Sequence, residues 1–166
     1  QAGYKEVVLT GIHVASYGKD NKDTSLIDLI KSVHEIAGIE RIRLSSMEPT
    51  FITGDFVSEA GKLNKLCPHY HLSLQSGCDA TLKRMNRKYT TSEYRKAVEL
   101  LRRSIPDVSL TTDIMVGFPG ETDEEFEQTY MFLDEISFMK MHVFKYSPRK
   151  GTPAAVMSGQ VESAVK

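Results

Sequence analysis

The chain has 166 residues, 40% of them hydrophobic and 26% charged, with a formal net charge of -1 at pH 7. That length suits one domain with a real core, and the near-neutral balance shows no charge excess of the kind that announces nucleic acid or a membrane surface. No apolar run is long enough to span a bilayer, the N-terminus does not read as a signal peptide, and two cysteines, Cys67 and Cys78, make no disulfide framework, so a reducing, cytoplasmic setting is expected.

Ala2-Gly3-Tyr4-Lys5 reads as the end of a helix with Gly3 as its left-handed stop, followed at once by a strand over 6–11. The abrupt start predicts a piece of a longer protein, with a helix and a strand upstream. Asp23 or Thr24 is expected to cap a helix over 25–37, whose Leu26, Leu29, Ile30 and Val33 form one apolar stripe ended by Gly38. A strand at 40–46 opposes Ile42 and Leu44 to Arg43 and Ser45. Met47-Glu48-Pro49-Thr50 then leads to a helix over 54–61. The strand at 69–75 puts Tyr70, Leu72 and Leu74 on one face and His71, Ser73 and Gln75 on the other. A short helix to about 85 and a longer one at 91–104 follow.

The strand at 108–116 sets Leu110, Thr112, Ile114 and Val116 against Ser109, Thr111 and Asp113. Thr122 and Glu125 form a capping box for a helix to about 136. A last strand near 139–146 opposes Val143 to His142 and Phe144, and residues 158–166 read as a small, polar tail beyond an ordered part of about 1–157. The regular alternation predicts a single domain, 1–166, of parallel βα units with helices on the apolar face. The other face is too polar for a packed barrel interior, so it predicts a ligand-lined concavity.

Several groups carry chemistry. The GFPGET turn at 117–122 precedes a helix whose free N–H groups favour an anion, or is simply a tight strand-to-helix turn. Gln75 and Ser76 suit ribose hydroxyls, or satisfy their own loop. Asp113, a carboxylate within the sheet, needs a partner such as Arg43, His71 or a ligand. Cys67, His69 and His71 share a face, but no Cys-x-x-Cys or His-x₃-His spacing occurs, so no metal site is expected from them. The basic run Lys83–Lys88 is a solvated face, or meets phosphate if a cleft lies beside it. No catalytic triad or activated cysteine stands out.

Six blocks resemble one family: VLTGIHVASYG at 8–18, RLSSMEP at 43–49, HLSLQSG at 71–77, LKRMNR at 82–87, TDIMVGFPGE at 112–121 and FKYSPRKGTP at 144–153. They are similar, in order and over essentially the whole chain, to the radical SAM methylthiotransferases. The first and fifth are most like the bacterial group acting on threonylcarbamoyladenosine beside the tRNA anticodon. The resemblance implies an α/β fold, a partial TIM-like (β/α)6 barrel whose first βα unit is missing here. It also implies a transferase that inserts sulfur and a methyl group into a modified adenosine of tRNA.

The cofactors implied are S-adenosylmethionine and two [4Fe-4S] clusters whose ligands lie outside this chain, so the 166 residues alone are expected to be inactive. By position, Thr10, Gly11, Ser45, Glu48, Gln75, Ser76, Asp113, Gly117 and Phe144 would contact S-adenosylmethionine; no cluster role carries over to Cys67 or Cys78. Two alternatives stand: a methylthiotransferase for a ribosomal-protein aspartate, and a cluster-free nucleoside-binding α/β module. The isolated chain is also expected to self-associate through its strand at 6–10.

Overall fold

Alternating apolar and polar residues build five parallel strands in the computed structural model, which describes residues 3–20 and 23–166. They are β1 (Glu6–Leu9), β2 (Arg41–Leu44), β3 (His69–His71), β4 (Ser109–Val116) and β5 (Lys140–Lys145). The helices between them are α1 (Leu26–His34), α2 (Gly54–Ala60), α3 (Asp79–Arg84), α4 (Thr91–Ser104) and α5 (Asp123–Ile136). This is the partial parallel α/β barrel expected from the sequence. Ala2 lies outside the described residues, while Gly3 has the left-handed φ of 75° expected of a helix stop.

The strands form two ladders, β1-β2 and β3-β4-β5. They meet at a joint where Ile42 bridges Leu66 and Met47 bridges Leu72. Ile42, Leu44, Tyr70, Leu72, Leu110 and Ile114 are buried on the outer face, against Leu26 and Ile30 of α1, Phe56 and Val57 of α2, and Tyr94 and Leu101 of α4. Burial of these side chains, at about 1.5–3 kcal/mol each, is the main source of stability.

The cap of α1 falls later than expected. Ser25 accepts the Asp28 N–H while the Asp28 carboxylate accepts the Ser25 N–H, because this Ser-x-x-Asp spacing closes a capping box that Asp23 and Thr24 lack. The Thr122–Glu125 box opens α5 as expected, and Thr90 and Glu93 form another at α4.

β5 departs from the pattern. All six of its residues are exposed, and Val143, on the outer face, is 60% exposed. After Lys145 the chain continues as turns and a short 3-10 segment, Pro153–Val156, so no described helix covers that face. The segment after Met157 lies back on the sheet end: Gly120 N–H donates to Gly159 O at 2.7 Å, and Lys166 Nζ donates to Tyr146 O at 3.2 Å. Among the described residues no helix is long and apolar enough to cross a membrane.

Candidate ligand site on the concave face

Period-two geometry gives the concave face its polar lining, because the outer positions are taken by the core. On the first ladder, Glu6 of β1 bonds Arg41 and Arg43 of β2 at 2.5 and 3.1 Å. These two guanidinium groups hold its carboxyl below the usual range. On the second ladder, His69 and His71 of β3 face Thr111 and Asp113 of β4 and His142 of β5. Burial, with Arg43 and His71 nearby, lowers the His69 pKa, so its ring stays neutral.

Between Leu72 and Leu74 the β3 segment leaves the regular ladder. The Thr112 hydroxyl fills the break, donating to Leu72 O at 2.6 Å and accepting the Leu74 N–H at 3.0 Å. Tyr94 and Tyr89 hydroxyls hold the carbonyls of Leu72 and Ser73. Desolvation pushes the Tyr89 hydroxyl up to about 12, so it remains a donor. The segment rejoins β4 at Gln75, which bridges Ile114 in a left-handed conformation, φ 71°. A non-glycine residue there carries backbone strain, a common mark of a ligand site.

The expected contact residues sort clearly. Thr10 and Gly11 are exposed at the end of β1 and line an open cleft with His13, Tyr17 and Asp20. Ser45 follows β2, its Oγ buried without a hydrogen-bond partner. Glu48 lines a 220 Å³ cleft with His13, Lys19, Ser46, Ser73 and Arg87. Gln75 and Asp113 are half-buried on β3–β4. Gly117, φ 71°, donates its N–H to the Glu121 carboxylate. Phe144 is 53% exposed on β5, its ring within 25° of parallel to His142.

Two of them do not open onto the concave face: Gly117 is buried beneath the Lys166 side chain, beside Val143, and Ser76 turns toward α5. It is fully buried, and its hydroxyl meets Thr129 Oγ1 at 3.1 Å and accepts the Cys78 N–H at 3.2 Å. It supports the turn after Gln75 rather than lining the cleft.

Arg87 and His71 complete the site, the first foreshadowed by the basic run and the second by its expected partnership with Asp113. The basic run has a cleft beside it, and Arg87 is the member that lines it. His71 was legible from its strand face alone, but its pairing with Asp113, Nε2 to Oδ2 at 3.4 Å, required the register of β3 on β4. Arg43, the alternative partner for Asp113, is instead bonded to Glu6.

Ser45 Oγ, an unsatisfied buried hydroxyl, together with Asp113, Gln75, Glu48 and Arg87, fits a ligand with hydroxyls, an ammonium and a carboxylate. The residues do not fit an iron–sulfur cluster. Cys67 and Cys78 are free, on different elements, and no three His, Cys, Asp or Glu converge as a metal site among the described residues.

Residues 1–133 match the family model described as the radical SAM superfamily. Over 99% of its length the chain is 45% identical to the threonylcarbamoyladenosine tRNA methylthiotransferases MtaB of Thermotoga maritima and Bacillus subtilis. It is 47% identical to the tRNA-2-methylthio-N(6)-dimethylallyladenosine synthase of Acetivibrio thermocellus, again over 99% of its length. It spans 38%, 37% and 34% of those relatives. Among solved structures, methylornithine synthase (PylB) aligns with a TM-score of 0.65 and 18% identity, over 96% of this chain and 44% of that one. Coproporphyrinogen III oxidase (HemN) from Escherichia coli aligns at 0.60 and 19%, over 82% and 31%.

Proposed function

Because the chain belongs to the radical SAM superfamily, we propose that it is the S-adenosylmethionine-binding core of a cytoplasmic tRNA methylthiotransferase. Its substrate is a modified adenosine next to the anticodon, and threonylcarbamoyladenosine is the reading favoured by the relatives with that printed name. Two [4Fe-4S] clusters belong to the complete enzyme, with ligands outside these 166 residues.

One observation carries the cofactor reading. At the strand ends Glu48, Ser73 and Arg87 line one polar cleft, Ser45 carries an orphaned buried hydroxyl just after β2, and Gln75 is bonded through its N–H to Asp113 of β4. Ligands of parallel α/β sheets bind outside the carboxyl ends of the strands. In this reading Arg87 pairs with the ligand carboxylate. Glu48 and the Thr10-Gly11 backbone take its ammonium, and Gln75 and Asp113 take ribose hydroxyls. Phe144 flanks the adenine.

Bound S-adenosylmethionine, with the family's cluster, supplies radical chemistry and the methyl group. The residues of this chain bind and orient it. Mass spectrometry of tRNA nucleosides from a deletion strain, with and without the complete gene, tests the activity. Loss and restoration of one methylthio-adenosine supports it; unchanged tRNA together with loss of a methylthio-aspartate on a ribosomal protein overturns it.

A further inference from the structure

His71 lies on the concave face but contacts no residue assigned to ligand recognition except Asp113. Its Nδ1 is 3.0 Å from Thr111 Oγ1, which is itself 3.2 Å from His69 Nε2. One hydroxyl serves two imidazoles: it has a single proton to donate and lone pairs to accept. The ring is thereby fixed, and its other nitrogen, Nε2, is buried without a hydrogen-bond partner, 3.4 Å from Asp113 Oδ2. Two lone pairs facing one another there would be repulsive, so Nε2 must carry a proton to sit beside a carboxylate. Either the Thr111 hydroxyl donates to Nδ1 of the Nε2–H tautomer, or His71 is cationic and donates from both nitrogens.

We infer that His71 is a positioning residue for the cofactor site, holding a proton between Nε2 and Asp113 Oδ2 so that the other carboxylate oxygen faces the ligand. The inference rests on the S-adenosylmethionine reading above. The charged and titratable neighbours are Asp113 from β4, His142 from β5 with its ring 6.4 Å away, His69 on the same strand, and the Arg43–Glu6 pair from β2 and β1.

The test is calorimetric binding of S-adenosylhomocysteine to the full-length enzyme at neutral pH. His71→Gln, which keeps one N–H donor, stays within about threefold of wild type. His71→Phe, checked for folding by circular dichroism, binds about tenfold more weakly. A His71→Phe variant that binds like wild type, or a His71→Gln variant that binds as weakly as His71→Phe, overturns the inference. A wild type that does not bind at all overturns the cofactor reading instead.

Discussion

The backbone of Gly77 packs directly on Thr129 of α5: a Cβ at Gly77 would lie 2.9 Å from Thr129 Cα and 2.7 Å from Phe132 Cβ. The same Thr129 hydroxyl accepts the Gly77 N–H at 3.1 Å and meets Ser76. The turn that presents Gln75 is thus held by α5, an element with no other part in the concave face. Gly77→Ala is expected to destabilise the fold by about 1–3 kcal/mol through overpacking, read from the midpoint of urea unfolding.

The break in β3 gives a second stability test. Thr112→Val keeps the shape but leaves Leu74 N–H without its acceptor and removes a donor to Leu72 O. A loss of about 1–3 kcal/mol is expected from the buried unsatisfied donor. Equal stability of the valine variant in the same unfolding assay would mean that the β3 backbone finds other partners.

In the full-length enzyme, Asp113→Asn and Gln75→Ala are each expected to weaken S-adenosylmethionine binding by roughly 1–3 kcal/mol, with iron content unchanged. Gln75→Gly separates the two properties of that position. It relieves the left-handed backbone at φ 71° and removes the amide, so it should be no less stable than wild type yet bind as poorly as the alanine variant.

Burial raises the pKa of Glu121 above its ordinary value of 4.5, against the opposing bond from Gly117 N–H. A carboxyl whose folded pKa is raised adds stability at low pH and loses it as pH rises through the folded value. Glu121→Gln, which can still accept the Gly117 N–H, should therefore melt higher than wild type near neutral pH and converge with it below 4.5. Glu125, held low by Arg84, has the opposite sign: its contribution is present above the ordinary value and fades in acid. Melting temperatures of Glu121→Gln and Glu125→Gln across that range check the two signs.

For the isolated chain, β1 pairs only with β2 among the described residues, which leaves the other edge of Val7–Leu9 as a template. Self-association through residues 6–10 is expected, and Val8→Lys should weaken it. Val8 is already 55% exposed, so the lysine costs the monomer little. Sedimentation showing a monomer at high micromolar concentration would refute this.

What the sequence disclosed followed from periodicity. Alternation in 108–116 and 69–75 separated Leu110 and Leu72, both buried, from Asp113 and His71, both facing the concavity. Ser76 entered as a ligand group from its place in the strand-end loop and from the family resemblance, whereas continued alternation sets position 76 on the face of Leu72 and Leu74, and there it lies, buried against Thr129 of α5. The Arg87 cleft depends on how the loop after β1 meets the turn after β2, a long-range contact with no local signature. Val143 read as a core residue because alternation reports which face a side chain takes, not whether anything covers that face.

The joint between the two ladders has its own mechanical meaning. Four backbone bonds cross it: Ile42 N to Lys65 O, Cys67 N to Ile42 O, Met47 N to His71 O, and Ser73 N to Met47 O. Between the lower and upper pairs the strands are unlaced, and the Ser45 hydroxyl is buried near that seam. Thr10, Ser45 and Glu48 ride on one plate, and Gln75, Asp113 and Phe144 on the other. A molecule gripped by both acts as a bolt through a hinge. The amide protons of Met47 and Ser73 would then exchange with solvent more slowly once it is seated, while those deep in β4 would hardly notice.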